Sequence, residues 1–94
     1  MKIKVRRRFK QDYAKIEYRF KKPKAFRKAF FRTISILRQG QDLPEEYVVN
    51  RIPDKGSGWF DCYVYADIIM IYKIEGQYVK LSRLGTPKDL ETEK

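Results

Sequence analysis

The 94-residue chain has the size of one domain with one hydrophobic core, which excludes a two-domain enzyme, so we expect a single domain over residues 1–94. Hydrophobic residues (43%) and aromatic residues (15%) are too frequent for a disordered chain. The net charge of +10 is unevenly distributed: residues 1–40 carry fifteen lysines and arginines against two acids, whereas residues 41–94 carry seven against ten. Histidine is absent, which removes the commonest general base and the commonest metal ligand.

The sequence favours a cytoplasmic protein that does not contact a membrane. Residues 1–8 are charged, but no apolar run follows them as it would in a signal peptide. The longest apolar stretch, around residues 68–72, is far shorter than the roughly 20 residues of a membrane span. The single cysteine, Cys62, can form neither an internal disulfide nor a cysteine-based zinc site, and we expect no cofactor and no metal.

The first forty residues predict a strand and two helices. Residues 2–6 alternate, with Ile3 and Val5 on one face of a short strand. Apolar residues then recur at the spacing of one face of a first helix, at Phe9, Tyr13, Ile16 and Phe20. Pro23 suits the first position of a second helix, which Gly40 ends. The apolar stripe of that helix consists of Phe26, Ala29, Phe30, Thr33, Ile34 and Leu37. The short connection predicts an antiparallel helical hairpin.

The second half predicts strands, because the period of its apolar residues falls to two. We expect a loop at residues 43–46, a turn at residues 53–58, and strands over residues 47–52, 59–65, 68–74 and 78–84. The strand over residues 68–74 is almost continuously apolar, which is typical of a central strand buried on both faces. The predicted order is β-α-α-β-β-β-β. This is an α+β fold: a small twisted, mainly antiparallel sheet with an N-terminal strand and a two-helix hairpin packed on one face.

Two surfaces are candidates for binding. The lysines and arginines of residues 1–40 either form the solvated faces of amphipathic helices or bind a partner. That partner would be a polyanion, chiefly nucleic acid, or an acidic protein. The dense clusters at residues 6–8 and 21–24 favour binding. No helix-turn-helix spacing supports a sequence-specific DNA-binding protein. In the third predicted strand, one face holds Trp59, Asp61, Tyr63 and Tyr65 and points away from the helices. That face is either simply solvated or a stacking platform for unpaired bases.

Two further groups have competing interpretations. Asp61 and Asp67 are acids that could share a metal ion, but two carboxylates are a weak signal. Cys62 has the same strand parity as Phe60 and Val64. We interpret it as a small core residue rather than a nucleophile, because no histidine is present to activate its thiol.

An ordered set of short motifs in residues 43–90 resembles a known family. The motifs are Leu43-Pro44 with Tyr47, Asp61 two residues before Tyr63, Asp67, the run at residues 69–73, Arg83-Leu84-Gly85-Thr86, and Asp89-Leu90. Their order and spacing are similar to those of toxins of bacterial type II toxin–antitoxin modules, in the RelE/ParE superfamily and especially its YafQ-like branch. The resemblance implies a small twisted sheet with two helices on one face, in agreement with the pattern above.

The resemblance also implies an activity and partners. Such toxins are ribosome-dependent endoribonucleases (mRNA interferases), in which a ribose 2′-oxygen attacks the adjacent phosphate. This reaction needs a base, an acid and cations that stabilise charge on phosphorus, but no metal. The implied partners are a cognate antitoxin, the ribosome and messenger RNA. Operon DNA would be contacted only through the antitoxin complex.

The family's site residues carry over only in part. Asn50, Tyr63 and Pro87 stand where the family commonly has histidines, Glu91 where it has an aromatic residue, and Phe60 where it has an arginine. By resemblance, Arg83 stabilises the phosphate, and Asp61 and Asp67 are bases or orienting groups. Tyr63 is then an acid or hydrogen-bond donor. The expected RNA-binding residues are Arg51, Lys55, Trp59 and Lys88, with Lys88 in the last loop. Strict alternation places Arg83 with Val79 and Leu81, so a bulge or strand end must reorient it.

Two other functions are compatible with the sequence. The first is a catalytically silent homologue that binds an antitoxin or a ribosome, or that helps to repress its operon. The second is a ParE-like inhibitor of DNA gyrase, which is a protein-binding role. Loss of the family histidines favours the first alternative, whereas the ordered motifs and basic helices favour the nuclease.

Overall fold

The helices and strands follow the predicted order, with one short helix added at the C-terminal end. A computed structural model describes residues 1–21 and 23–91. The elements are β1 (Lys2–Val5), α1 (Arg7–Arg19), α2 (Lys24–Arg38), β2 (Asn50–Arg51), β3 (Trp59–Tyr65), β4 (Ile68–Glu75), β5 (Tyr78–Gly85) and α3 (Pro87–Glu91). The five strands form one sheet in the order β1-β5-β4-β3-β2, in which β1 is parallel to β5 and the other neighbours are antiparallel. The predicted α+β fold is confirmed.

The two long helices form the predicted antiparallel hairpin. Their ring contacts run in opposite directions along the two helices: Phe9 lies 5.9 Å from Phe30, and Phe20, just beyond α1, lies 6.0 Å from Phe26. The apolar stripes face the sheet, where Phe26 is 1% exposed. Helix α1 packs against β5 and α2 against β3. The basic cluster predicted at residues 21–24 includes Lys22, which lies outside the described residues.

Three predicted boundaries are wrong. Residues 47–52 form a strand only at Asn50–Arg51, because Tyr47 ends a 3₁₀ turn and is buried, and Val48 adopts a left-handed φ of 49°. Helix α2 begins at Lys24, one residue after Pro23. The residues predicted as a last loop, including Lys88, form α3.

The central strand β4 is covered on one face only, which corrects the prediction of burial on both faces. Ile68, Met70 and Tyr72 are buried beneath the helices, each at most 2% exposed. Ile69 and Ile71 point the other way and are only partly buried. The sheet therefore has a helix-covered face and an open face, and the open face carries apolar side chains at its centre.

A bulge in β5 reorients Arg83, as the sequence required. Leu81 pairs with Tyr72, but the next pair is Arg83 with Ile71, so Ser82 is the extra residue. This one-residue shift moves Arg83 off the face of Val79 and Leu81. The bulge thereby separates the Arg83 side chain from the hydrophobic core.

Candidate functional site

Four residues on neighbouring strands form a line across the open face. Asn50 pairs with Asp61, Asp61 with Ile71, and Ile71 with Arg83. Directly paired residues of antiparallel strands project on the same side of the sheet. Because neighbouring strands lie about 4.8 Å apart, the backbones of Asp61 and Arg83 are about 10 Å apart. We call this line the Asp61–Arg83 row. Two of the candidate catalytic residues therefore face the same side, separated only by Ile71.

The other two candidate catalytic residues lie at different places. Tyr63 follows Asp61 by two residues on β3 and so leaves the sheet on the same side; it is 39% exposed and pairs with Ile69. Asp67 is exposed in the turn between β3 and β4, beyond the end of the paired strands. The strand register thus directs Asp61, Tyr63 and Arg83 to one side of the sheet and leaves Asp67 at its margin, but the Arg83 guanidinium lies at the β5 edge against α1.

Tyr65 does not lie away from the helices as predicted. Its ring lies 6.0 Å from that of Phe20 and 6.4 Å from that of Phe26, both on the helix-covered side. The cause is a register shift between Tyr63 and Tyr65, which breaks the alternation of β3. Tyr65 therefore belongs to the packing of the helical hairpin and not to the open face.

Arg83 is held by Asp12 of α1, a residue that the sequence did not identify as part of the site. The Arg83 Nε donates to Asp12 Oδ2 over 2.7 Å and the Nη2 to Oδ1 over 3.3 Å. The side chains of Arg83 and Asp12 are only 12% and 6% exposed. The backbone N–H of Leu84 donates to the same Asp12 carboxylate over 3.0 Å. The pair is thus buried, bidentate and tied to the β5 backbone, which fixes the guanidinium group.

The position of Asp12 follows from where β1 ends. The last pair between β1 and β5 is Val5 with Leu81, so within residues 1–21 and 23–91 no strand lies beside the edge of β5 beyond Leu81. Helix α1 crosses this edge, and Asp12 supplies the missing acceptor. A signal was present in the sequence, since Asp12 lies three residues after Phe9 and four before Ile16, on the buried stripe of α1.

A cleft of about 250 Å³ separates α1 from the end of β5 and from α3. Its lining includes five basic residues and two acids: Arg8, Lys15, Arg19, Arg83, Lys88, Asp12 and Asp89. The basic N-terminal half and the C-terminal segment therefore form one cationic surface. Lys88, a candidate RNA-binding residue, lies in this cleft beside Arg83 and far along the chain from the other three candidates.

Helix α3 is fixed in the cleft by a capping box. The N–H of Thr86 donates to the Asp89 carboxylate over 3.0 Å, and the N–H of Asp89 donates to the Thr86 hydroxyl over 3.1 Å. Arg19 of α1 also donates to Asp89 over 3.0 Å. The Arg19 contact, followed by that of Thr86, lowers the pKa of Asp89 to about 2. The carboxylate is therefore ionised at neutral pH and connects α3 to α1.

Two further candidate RNA-binding residues, Lys55 and Trp59, lie at one end of the open face. The Lys55 ammonium is 5.1 Å from the centre of the Trp59 ring, and that of Lys73 is 5.7 Å from the same ring. Lys55 and Trp59 adjoin the Asp61–Arg83 row because Trp59 precedes Asp61 by two residues on β3. Arg51 is exposed on β2, but it pairs with Phe60, which packs against the core, so Arg51 projects to the helix-covered side of the sheet.

Cys62 lies in the core, as predicted. It is 1% exposed, and its burial, together with the nearby charge of Asp61, raises the pKa of the thiol to about 12. The thiol is neutral at physiological pH and is no nucleophile.

We expect the Cys62 thiol to react with the thiol reagent DTNB only on unfolding, so the native protein should show almost no absorbance change until denaturant is added. Rapid stoichiometric labelling of the native protein would contradict this.

Metal-binding clusters and membrane-spanning helices are both absent from the described residues. Within residues 1–21 and 23–91, no three His, Cys, Asp or Glu side chains lie close enough together to bind a metal ion. Over the same part of the chain, no helix combines the length and the apolar character needed to cross a membrane.

The fold is that of small bacterial toxins of known structure. E. coli YafQ in complex with DinJ matches with a TM-score of 0.80 at 24% identity, over 94% of each chain. YafQ alone, from E. coli strain BL21(DE3), matches with the same values. A copper-bound toxin variant from Helicobacter pylori matches with a TM-score of 0.82 at 19% identity, over 96% of this chain and 98% of that one.

The sequence assigns the family within this class. Residues 1–92 match the family of the bacterial toxin of type II toxin–antitoxin systems, YafQ. The chain belongs to the YafQ toxin family, which confirms the resemblance found in residues 43–90 and extends it over the N-terminal helices. No curated protein sequence matches the chain significantly.

Proposed function

We propose that this toxin cleaves messenger RNA in the ribosome by attack of a ribose 2′-oxygen on the adjacent phosphate. The observation that carries the proposal is the strand register, which directs Asp61, Tyr63 and Arg83 to one side of the sheet, with the Arg83 guanidinium fixed by Asp12 at the β5 edge. A base, an acid and a cation at fixed positions are what this reaction requires. Family membership supports the role of toxin, and the geometry supports the chemistry.

Each of the three side chains has a defined task in this reaction. Asp61 accepts the proton of the 2′-hydroxyl as its oxygen forms a bond to phosphorus. The bond from phosphorus to the 5′-oxygen breaks, leaving a 2′,3′-cyclic phosphate, and Tyr63 donates a proton to the departing oxygen. The Arg83 guanidinium stabilises the negative charge that develops on the phosphate oxygens. We assign the base to Asp61 rather than to Asp67 because Asp67 lies in the turn outside the row.

We propose a cognate antitoxin as the protein partner. The family match assigns the chain to toxin–antitoxin systems, and E. coli YafQ has been solved in complex with DinJ. The exposed faces of α1 and α2 carry most of the fifteen basic residues of residues 1–40. Such a surface attracts an acidic partner. Ribosome and messenger RNA are the partners of the free toxin, and operon DNA is contacted only through the antitoxin complex.

Replacing Asp61 by asparagine is expected to slow messenger RNA cleavage by about 10²-fold, the lower range for loss of a general base. Purified toxin, ribosomes and a defined message would be mixed, and the 5′ ends of the products mapped by primer extension. Wild-type toxin should give cuts in register with codons. Asp42→Asn, an exposed carboxylate between α2 and β2, is the matched control and should cleave at the wild-type rate.

Two results would contradict the proposal. Intact transcripts in the presence of wild-type toxin, with tight binding of the antitoxin, would identify a catalytically silent homologue. Equal cleavage by Asp61→Asn and by wild type would remove Asp61 from the reaction and leave the base to be sought elsewhere on the open face.

A further inference from the structure

A second line of residues crosses the open face beside the Asp61–Arg83 row. Lys4 of β1 pairs with Lys80 of β5, Lys80 with Lys73 of β4, and Lys73 with Trp59 of β3. Because directly paired residues share a face, three lysines and a tryptophan stand side by side over four strands. We call this line the Lys4–Trp59 row. It runs beside the Asp61–Arg83 row. The two rows are two residues apart along β3 and β4, a distance of about 7 Å.

The charges in the Lys4–Trp59 row are costly to the fold and only partly neutralised. Like charges on directly paired strand residues destabilise a sheet. Glu75 offsets part of this cost, since its carboxylate lies 2.7 Å from the Lys73 ammonium and 2.9 Å from that of Lys80. These two lysines hold the pKa of Glu75 at about 2, so the acid is ionised at neutral pH. Three positive charges against one negative leave a net positive row.

Aromatic rings flank the row at both ends. The Lys4 ammonium is 4.3 Å from the centre of the Tyr78 ring, and Lys55 and Lys73 approach the ring of Trp59. A groove of cations with aromatic side chains is the arrangement that binds single-stranded nucleic acid, where cations contact phosphates and rings stack on bases. An acidic peptide would use the cations but would gain nothing from Trp59.

We propose that the Lys4–Trp59 row binds single-stranded RNA, with Lys73 and Lys80 on the phosphate next to the one cleaved and Trp59 stacked on a base. The inference rests on the proposed function, because it assigns the neighbouring Asp61–Arg83 row to the scissile phosphate. Glu75 tunes this binding: its carboxylate competes with the phosphate for the same two ammonium groups.

The test measures binding of fluorescein-labelled oligouridine by fluorescence anisotropy over a range of salt concentrations. Lys73→Gln and Lys80→Gln should each weaken binding several-fold and reduce the salt slope by about 0.7, the value for one phosphate contact on a single strand. Glu75→Gln should tighten binding. Lys28→Gln on α2 and Glu45→Gln in the turn before β2 are the matched controls for charge, and neither should change the affinity by more than the net charge requires.

Equal effects of Lys73→Gln and Lys28→Gln would overturn the proposal, because the attraction would then come from overall charge. So would a Lys73→Gln variant that keeps its affinity for RNA but loses affinity for an oligoglutamate peptide, since the row would then serve an acidic protein. Trp59→Leu, which keeps an apolar side chain, should weaken RNA binding without changing the salt slope; unchanged affinity would remove the stacking contact.

The same variants separate this inference from the proposed function. A wild-type toxin that fails to cleave messages on ribosomes, yet binds oligouridine through Lys73 and Lys80, would refute the nuclease and keep the row. If the Lys73→Gln and Lys80→Gln variants cleave messages normally and bind RNA with unchanged affinity, the RNA-binding role of the Lys4–Trp59 row is refuted and the nuclease function stands.

Discussion

Replacing Asp12 by alanine should lower the free energy of unfolding by about 3–5 kcal/mol, as expected when one partner of a buried ion pair is removed. The guanidinium of Arg83, only 12% exposed, would lose its bidentate partner, and the N–H of Leu84 would lose its acceptor. Urea denaturation followed by circular dichroism measures the change. The site depends on the same contact, because Asp12 fixes the side chain proposed to bind phosphate.

Two matched variants make the result specific. Asp12→Asn keeps an oxygen that can accept the N–H of Leu84, so it should cost less than Asp12→Ala. Glu46→Ala breaks an ion pair between two exposed side chains, that of Arg32 (65% exposed) and that of Glu46 (63% exposed). This change should lower the free energy of unfolding by no more than about 1 kcal/mol. If Asp12→Ala also lowers the free energy of unfolding by less than about 1 kcal/mol, the buried Asp12–Arg83 pair stabilises the fold no more than an exposed ion pair does.

Replacing Arg83 by lysine should reduce messenger RNA cleavage on ribosomes by about 10²–10³-fold, the usual effect of removing one donor that stabilises charge in the transition state. Lysine keeps the positive charge but lacks the planar fork that binds the Asp12 carboxylate with two hydrogen bonds and fixes the charged group. Single-turnover cleavage with saturating ribosomes measures the chemical step. Arg7→Lys, at the exposed start of α1, is the control and should leave the rate unchanged.

The unfolding free energy of Arg83→Lys must be measured beside its activity. If the variant is folded at the assay temperature and cleaves slowly, the guanidinium itself is required. Cleavage at the wild-type rate by a folded Arg83→Lys would show that Arg83 is structural and that the phosphate is stabilised by other cations. Lys88, in the same cleft, would then be the next residue to test.

The helices and the three long strands were predictable because their apolar residues repeat at 3.6 or at two residues over whole elements. The strand at residues 47–52 was wrong because its β-branched residues do not form a ladder: Tyr47 turns into the core and Val48 takes a left-handed backbone. Helix α3 was missed although its capping residues were visible. The helix is too short to show periodicity, but its start is marked by Thr86 at the N-cap, Pro87 at the first position and Asp89 at the third.

The candidate site was predictable in its residues but not in its contacts. Asp61, Tyr63 and Arg83 were identified through motif spacing, whereas the partner of Arg83 lies 71 positions earlier in the chain. No local pattern can indicate such a pairing, because it depends on where β1 stops beside β5. Tyr65 was misplaced for a related reason: one bulge in β3 is enough to reverse the face of a side chain.

The parallel pairing of β1 with β5 has a consequence for the synthesis of this toxin. Residues 2–5 are synthesised more than seventy residues before their strand partners, residues 78–81. Asp12 likewise waits for Arg83 and Leu84. A nascent chain interrupted before β5 has neither a sheet edge for β1 nor a guanidinium for Asp12. The β1–β5 pairing and the Asp12–Arg83 ion pair can therefore form only after residues 78–84 have been made.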